Sequence, residues 1–376
     1  MILKTIEYHE YLNDGRYWAI KPFELGRINL FTAKNATGKT RTLKAINWLS
    51  TIIKDNVFND HANYSVEFID DSEKYSYIIN NDDKRVTSEK LIRNDKVLIH
   101  RESTGKGEIY AAQLGKNIEF QIPETVIAAS RVDTLQYPFL DRLHNWAKSV
   151  RLYAFGSSMK QENGEKIDKE WGYTYENSEN SVGVYYAGSH ISNIKEKFIN
   201  TVINSMNAIG YNLDEINVKQ GLLSNSDIKN DDYTLFVKEN GRNAKVTQNA
   251  MSQGMFRALS IIIHITYHAI AGKPTTILID DIGEGLDFER STKLIKILIE
   301  LAEKNDNIQL IMSTNDRYVM NNVPLEYWQI IRRLGGECTV INYQNSKEKF
   351  EEFKYSGLNN FDLLATDYID SIWKKI

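Results

Sequence analysis

The sequence predicts an α/β fold organised around a phosphate-binding loop, with a mixed central sheet, an antiparallel β meander and a helical insertion. Three observations carry the prediction. Ala33-Lys34-Asn35-Ala36-Thr37-Gly38-Lys39-Thr40 matches G-x-x-x-x-G-K-[ST] with alanine in the first slot, between an apolar strand and an amphipathic helix. Apolar residues alternate with a period of two from Tyr64 to Ile122. After Met255, helix-like and strand-like segments alternate, as they do in parallel α/β sheets.

The first 30 residues read as two strands around a turn at Asn13-Asp14-Gly15, with Ile28-Asn29-Leu30-Phe31 a second, buried strand. Lys39 to Lys54 reads as a helix, because Leu43, Ile46, Leu49 and Ile53 recur three or four apart and share a face. The segments SVEFI, YSYII, KVLIH, EIYAA and IEFQI, separated by Asn-, Asp-, Ser- and Gly-rich turns, form the expected meander. Thr125–Ala129 reads as one more strand. Residues 140–210 read as mainly helical, with Ile194, Phe198, Val202, Ile203 and Met206 at helical spacing. The polar tract from Gly156 to Ser181 lacks periodicity and reads as an exposed loop, a kind of segment that often carries recognition. Tyr233–Val237 and Ala244–Thr247 flank Glu239-Asn240-Gly241, a hairpin signal. Met255–Ala271 and Arg290–Lys304 then read as helices, and Thr276–Asp280 and Ile308–Ser313 as strands.

Composition narrows the class. Lys plus Arg is 46 and Asp plus Glu is 50, a formal net charge of −4, so any nucleic-acid site has to be a local patch. A hydrophobic share of 42% and a charged share of 26% exclude a disordered chain, a collagen and a coiled-coil rod. One cysteine, Cys338, excludes an intrachain disulfide framework and a multi-cysteine zinc site. The opening residues are interrupted by Glu7, His9, Glu10 and Asp14 and lack a signal peptide's apolar core. The longest apolar run, near Leu259–Ile265, is far short of the ~20 residues of a membrane span. A soluble, cytoplasmic protein without a membrane partner is the expectation.

The phosphate loop needs its residue types. Backbone N–H groups of the loop and of the helix that follows cradle a β-phosphate. Lys39 carries charge to the β- and γ-phosphates, and Thr40 offers a hydroxyl to Mg2+. Ala33 is acceptable in the first slot if its φ is negative. Later, Thr276-Ile277-Leu278-Ile279-Asp280-Asp281 is an apolar strand ending in two acids, at the end of a sheet where ligands bind. Asp280 would hold Mg2+ through water, and Asp281 would polarise the attacking water. Twenty-eight residues before Asp280, Met251-Ser252-Gln253-Gly254-Met255 opens a helix. There, Ser252 and Gly254 form either a second anion site or a simple N-cap.

In this order the motifs resemble the ABC-type ATPase heads of the structural-maintenance-of-chromosomes (SMC), RecF-like and overcoming-lysogenisation-defect families. MSQGM resembles the family's signature pentapeptide, Asp280-Asp281 its acidic strand end, and Leu286-Asp287 its D-loop. The resemblance spans roughly residues 1–135 and 215–330, and the chain divides accordingly into residues 1–135 and 213–343 as the two parts of one head. It leaves residues 136–212 as the insertion and 344–376 as a helical extension whose aromatic residues read as packing onto their own domain. It implies ATP and Mg2+ as ligands, bound through the loop from Ala33 to Thr40, with Thr42, and through Ser252, Gln253, Gly254 and Asp287. It implies a homodimer sandwiching ATP, in which Ser252 and Gly254 face nucleotide held by the other copy's Lys39. A separate effector, protein or nucleic acid, would read the nucleotide state. A bare head with a compact insertion resembles the ATPase halves of bacterial anti-phage systems.

Three departures bear on the chemistry. The strand ends Asp-Asp where the family has Asp-Glu, which implies slow hydrolysis and makes Glu284 a rival to Asp281 as base. Asn315 stands where the family often has His; it can hydrogen-bond a γ-phosphate but cannot titrate. Gln136, after the segment VIAAS, is the candidate for the metal-coordinating glutamine. Two other readings stay open. One is a non-hydrolysing ATP-dependent switch, kept alive by Asp281. The other is a transporter's ATP-binding subunit, opposed by the meander, the insertion and the missing His. His264 and His268, four apart on a helix, have Ile265 where a zinc protease needs Glu, and read as a helix face. Ser130-Arg131 is either a phosphate or partner contact or an ordinary surface pair.

Overall fold

The computed structural model describes residues 1–58, 61–155, 165–166, 181–220, 232–366 and 368. The chain divides into two compact units. The first comprises Met1–Leu152, Ile311–Asn315 and Pro324–Ile376, and the second Tyr153–Leu310 and Asp316–Val323.

The first unit opens with β1 (Ile2–Glu10) and β2 (Trp18–Glu24), an antiparallel pair, followed by the fully buried β3 (Ile28–Thr32). In the turn between β1 and β2, the Asp14 carboxylate accepts from the Arg16 backbone at 2.8 Å and pairs with its guanidinium at 3.0 Å. Helix α1 (Lys39–Asp55) buries Leu43, Ile46, Leu49 and Ile53, the face its spacing predicts. The meander has six strands: β4 (Ala62–Asp70), β5 (Glu73–Asp82), β6 (Arg85–Arg93), β7 (Lys96–Arg101), β8 (Lys106–Ala111) and β9 (Lys116–Gln121). The unforeseen member is β6. Its inward positions are Val86, Glu89 and Leu91, so a charge stands where alternation calls for an apolar residue.

Thr125–Ala129 is not a strand. Its end enters a single 3₁₀ turn at Ala128–Ser130. Side chains take the N–H groups that a ladder would need. Asn56 Oδ1 accepts from Ile127 at 2.8 Å, and Glu89 accepts from Ala128 at 2.6 Å and Ala129 at 2.8 Å. Helix α2 (Pro138–Ser149) follows and packs on α1.

β10 (Val150–Ala154) leads into the second unit, an extended segment inside the stretch expected to be helical. The loop expected over Gly156–Ser181 lies outside the described residues, apart from β11 (Glu165–Lys166) and Ser181 at the start of α3 (Ser181–His190). Helix α4 (Lys195–Ile209) ends at Gly210, whose φ of 107° supplies the left-handed cap. The small sheet of β12 (Leu213–Gln220), β13 (Asp232–Glu239) and β14 (Lys245–Thr247) contains the predicted hairpin, with Val237 opposite Val246. β11 pairs on the other side of β13, where Glu165 stands opposite Tyr233.

Helix α5 (Gln253–Ala271) is the core of this unit, with α3, α4 and α6 (Phe288–Glu303) packed on it. By length and composition α5 is apolar enough to cross a membrane, but 83% of that apolar window is buried inside the protein. β15 (Thr275–Asp280) is buried at every position, as is β16 (Ile308–Ser313), which carries the chain from the second unit into the first. His264 of α5 is bonded to Tyr153 Oη at 2.8 Å and Thr275 Oγ1 at 3.2 Å, and stacks on His268. Helix α7 (Arg317–Asn322) closes the unit.

The chain then returns to the first unit. β17 (Trp328–Leu334) runs parallel to β3, and β18 (Glu337–Asn342), antiparallel to β17, runs parallel to β2. The order β3-β17-β18-β2-β1-β4-β5-β6-β7-β8-β9 makes a large mixed sheet, so the α/β class with an antiparallel meander is what the structure has. Helices α8 (Tyr343–Lys354) and α9 (Asp362–Ala365) follow. Phe350, Phe353 and Leu363 are buried there as expected, whereas Tyr355 is 88% exposed.

Candidate functional site

The phosphate loop belongs to the first unit. Ala33 is buried and is not among the residues of positive φ, which settles the condition set by alanine in the first slot. Ala36 (φ 63°) and Gly38 (φ 111°) are left-handed, and Gly38 caps α1. Successive left-handed and right-handed residues turn N–H groups toward one concavity, the geometry of an anion nest. A Cβ at Gly38 would stand 3.1 Å from the Trp18 ring and 3.4 Å from Cys338 Sγ. The buried Cys338 thiol donates to the Thr37 carbonyl at 3.2 Å, and burial raises its pKa. Lys39 is only 7% exposed, and its Nζ donates to the Ala33 carbonyl at 3.3 Å. Thr37 Oγ1 closes the loop on the Lys34 carbonyl at 2.9 Å. Lys34, Asn35 and Ala36 are exposed, and Thr40 is half-buried. Thr42 is fully buried, and its hydroxyl holds the Gly38 carbonyl at 3.0 Å. Arg41, which the motif did not single out, lies 4.5 Å over the Trp18 ring and pairs with Glu10.

Two more predicted residues lie in this unit. Asn315 is exposed, one position beyond Thr314, whose N–H donates to the Phe31 carbonyl of β3 at 3.2 Å. Gln136 is half-buried. Its N–H donates to Asp133 Oδ1 at 2.9 Å and its carbonyl accepts from Ala112 at 2.9 Å, while its Oε1 is buried without a hydrogen-bond partner. The Arg131 guanidinium rests 4.8 Å over the Phe120 ring rather than standing free on the surface.

The second unit holds the other motifs. β15 delivers Asp280, 7% exposed, whose carbonyl accepts from Phe155 at 2.9 Å. Asp281 is half-buried and left-handed, with φ 56°. It opens a turn in which its carbonyl accepts from Glu284 at 3.1 Å. The Glu284 side chain is exposed, and its carbonyl accepts from Arg257 Nη1 at 2.9 Å. Arg257, buried in α5, was not foreseen. It ties the signature helix to the turn after the acidic strand, and the available signal was the one Asp, Glu, Lys or Arg residue in that helix.

Ser252 caps α5, its hydroxyl accepting from Met255 at 3.3 Å, so the capping role is present. Gly254 is required by packing, since a Cβ there would lie 2.6 Å from the Gly285 carbonyl oxygen. Asp287 caps α6. Its carboxyl is held below the usual range by the Arg290 N–H at 2.9 Å and then by the Arg290 guanidinium at 2.5 Å. Ser252, Gln253, Gly254 and Asp287 line one cavity of about 550 Å3, with Tyr211 and Glu239 among its other lining residues.

Residues 137–321, just under half of the chain, match the family described as "AAA domain, putative AbiEii toxin, Type IV TA system". No curated protein matches the sequence. Among solved structures, an Smc head bound to the C-winged helix domain of ScpA is similar over 93% of this chain and 100% of its own, with 11% identity and a TM-score of 0.53. The SMC head domain from Thermotoga maritima (91% and 99% covered, 12% identity, TM-score 0.44) also matches. So does the Smc head of Pyrococcus furiosus with an extended coiled coil, bound to the C-terminal domain of ScpA (94% and 99%, 12%, 0.48). In fold, this chain is similar to the head domains of SMC proteins.

Proposed function

We propose that the chain binds and hydrolyses ATP, pairs with a second copy around the nucleotide, and passes the nucleotide state to a separate effector. The observation that carries this reading is the loop from Ala33 to Thr40, with left-handed backbone at Ala36 and Gly38 and Lys39 folded back onto its first carbonyl. Lys39 would exchange that carbonyl for the β- and γ-phosphates. Thr40, Asp280 and Gln136 offer hydroxyl, carboxylate and amide oxygens, the hard donors that suit Mg2+, and the unpartnered Gln136 Oε1 fits this assignment. Mg2+, when bound, neutralises charge developing on the phosphate oxygens. Asp281 would orient the attacking water and take its proton, Asn315 would hydrogen-bond the γ-phosphate, and Glu284 is the rival base. Ser252, Gln253, Gly254 and Asp287 would meet nucleotide held by the second copy, which is supported by their sharing one cavity. The reading extends to a cytoplasmic, bacterial anti-phage or DNA-surveillance setting, with which a family described as a putative toxin of a Type IV TA system accords. The Smc head's binding of a ScpA domain favours a protein as effector.

Lys39→Ala should lose ATP binding and turnover. Asp281→Asn should bind ATP, lose turnover by ~10²-fold or more, and accumulate dimers in size-exclusion chromatography. Normal turnover by Asp281→Asn, with loss in Glu284→Gln, assigns the base to Glu284. A non-hydrolysing switch is the second reading, favoured by the short Asp281 carboxylate at a left-handed position. ATP-dependent dimers without phosphate release from purified protein decide for it.

A further inference from the structure

The first unit buries a carboxylate that the reaction above does not use. Glu89, in the middle of β6, is 1% exposed. Its Oε1 accepts from the Tyr77 hydroxyl at 3.0 Å and the Ala129 N–H at 2.8 Å, and its Oε2 from the Ala128 N–H at 2.6 Å. The fully buried Arg101 adds opposite charge and donates to the Val86 and Pro123 carbonyls at 3.3 and 3.1 Å. Burying two charges is an expensive way to close a meander, since well-packed apolar side chains do it as well or better. The arrangement calls for a reason beyond stability.

The two N–H groups that Glu89 holds open the loop leading to Gln136. His144 of α2 grips the same turn from the other side, its Nε2 2.6 Å from the Ala129 carbonyl. At the far end, Asp133 Oδ1 accepts from Leu135 and Gln136 at 3.0 and 2.9 Å, and Ala112 holds the Gln136 carbonyl. Between these anchors, Gln136 Oε1 and Arg131 Nε are both buried without hydrogen-bond partners. A strapped loop that holds an amide oxygen without a partner in the protein suits a ligand that supplies one.

We infer that Glu89 is a positioning residue: through the Ala128–Ala129 backbone it fixes the loop that presents Gln136 to the Mg2+ of bound ATP. This rests on the reading of Gln136 given above. Glutamine at position 89 keeps the shape but offers one acceptor oxygen and turns an N–H2 toward a backbone N–H, so the turn must shift.

The test uses the full chain in an Asp281→Asn background, with ATP affinity measured by calorimetry across a Mg2+ titration. Glu89→Gln should raise the Mg2+ concentration for half effect roughly 10-fold and leave metal-free ATP binding unchanged. Gln136→Ala should do the same, and the double variant should shift no further than Gln136→Ala alone. Tyr77→Phe, which removes one donor and keeps the carboxylate, should shift in the same direction by less; it decides the matter if Glu89→Gln does not fold. A lower melting temperature with unchanged Mg2+ dependence, or additive shifts in the double variant, would overturn the inference. If Gln136→Ala leaves the Mg2+ dependence unchanged, the metal role of Gln136 falls and this inference falls with it. A shift in Gln136→Ala without one in Glu89→Gln or Tyr77→Phe rejects only the role of Glu89.

Discussion

Gly38 meets two demands at once. Its φ of 111° belongs to glycine, and the space where a Cβ would go is filled by the Trp18 ring. Left-handed backbone alone costs an L-residue ~1–2 kcal/mol. Gly38→Ala should therefore lower the melting temperature by several degrees and weaken ATP binding together. A variant that melts like the wild type and binds normally would show that the loop tolerates another backbone. The octapeptide announced Gly38, Lys39 and Thr40, because phosphate loops keep the same residue types at the same spacing. It could not announce Trp18, Arg41 and Cys338, which surround the loop from other strands and from the first turn of α1. Arg257 stood out in sequence only as an isolated charge in its helix; its partner, a backbone carbonyl, leaves no mark there.

At the scale of elements, periodicity served where one side was apolar throughout and failed where a charge was turned inward. α1, β3 and β15 were legible for the first reason, and β6 was missed because Glu89 occupies an inward position. The same carboxylate removed the strand expected at Thr125–Ala129 by taking its N–H groups. His144, on the opposite side of that turn, makes the arrangement sensitive to pH. Burial holds its pKa below the ordinary 6.5, with the bond to Ala129 opposing. As pH falls below about 6.5 the unfolded chain takes up a proton that the folded chain resists. The stability His144 contributes is thus present above that value and lost as pH falls through its folded value. His144→Gln keeps an N–H for the Ala129 carbonyl and cannot titrate. Urea midpoints at pH 7 and pH 5 should show the variant losing less stability than the wild type. Equal losses would remove His144 as the source.

For the whole molecule, the second unit gathers Ser252, Gln253, Gly254 and Asp287 around one cavity, while the phosphate loop lies in the first unit. If function needs two copies, Lys39→Ala and Ser252→Arg proteins should each be inactive alone and regain part of the ATPase activity when mixed. Heterodimers that form without recovery would exclude shared sites. The chain's route also sets an order of events during its own synthesis. β2 and β3 are made first, yet their parallel partners β18 and β17 come about 300 residues later, with Leu30 opposite Trp328 and Ile20 opposite Cys338. Until those strands leave the ribosome, the apolar β3 stands with an open edge, the kind of surface that invites aggregation and chaperone capture. Pairings so distant in sequence also carry a large loop-closure cost before they stabilise anything, so the first unit completes late and slowly.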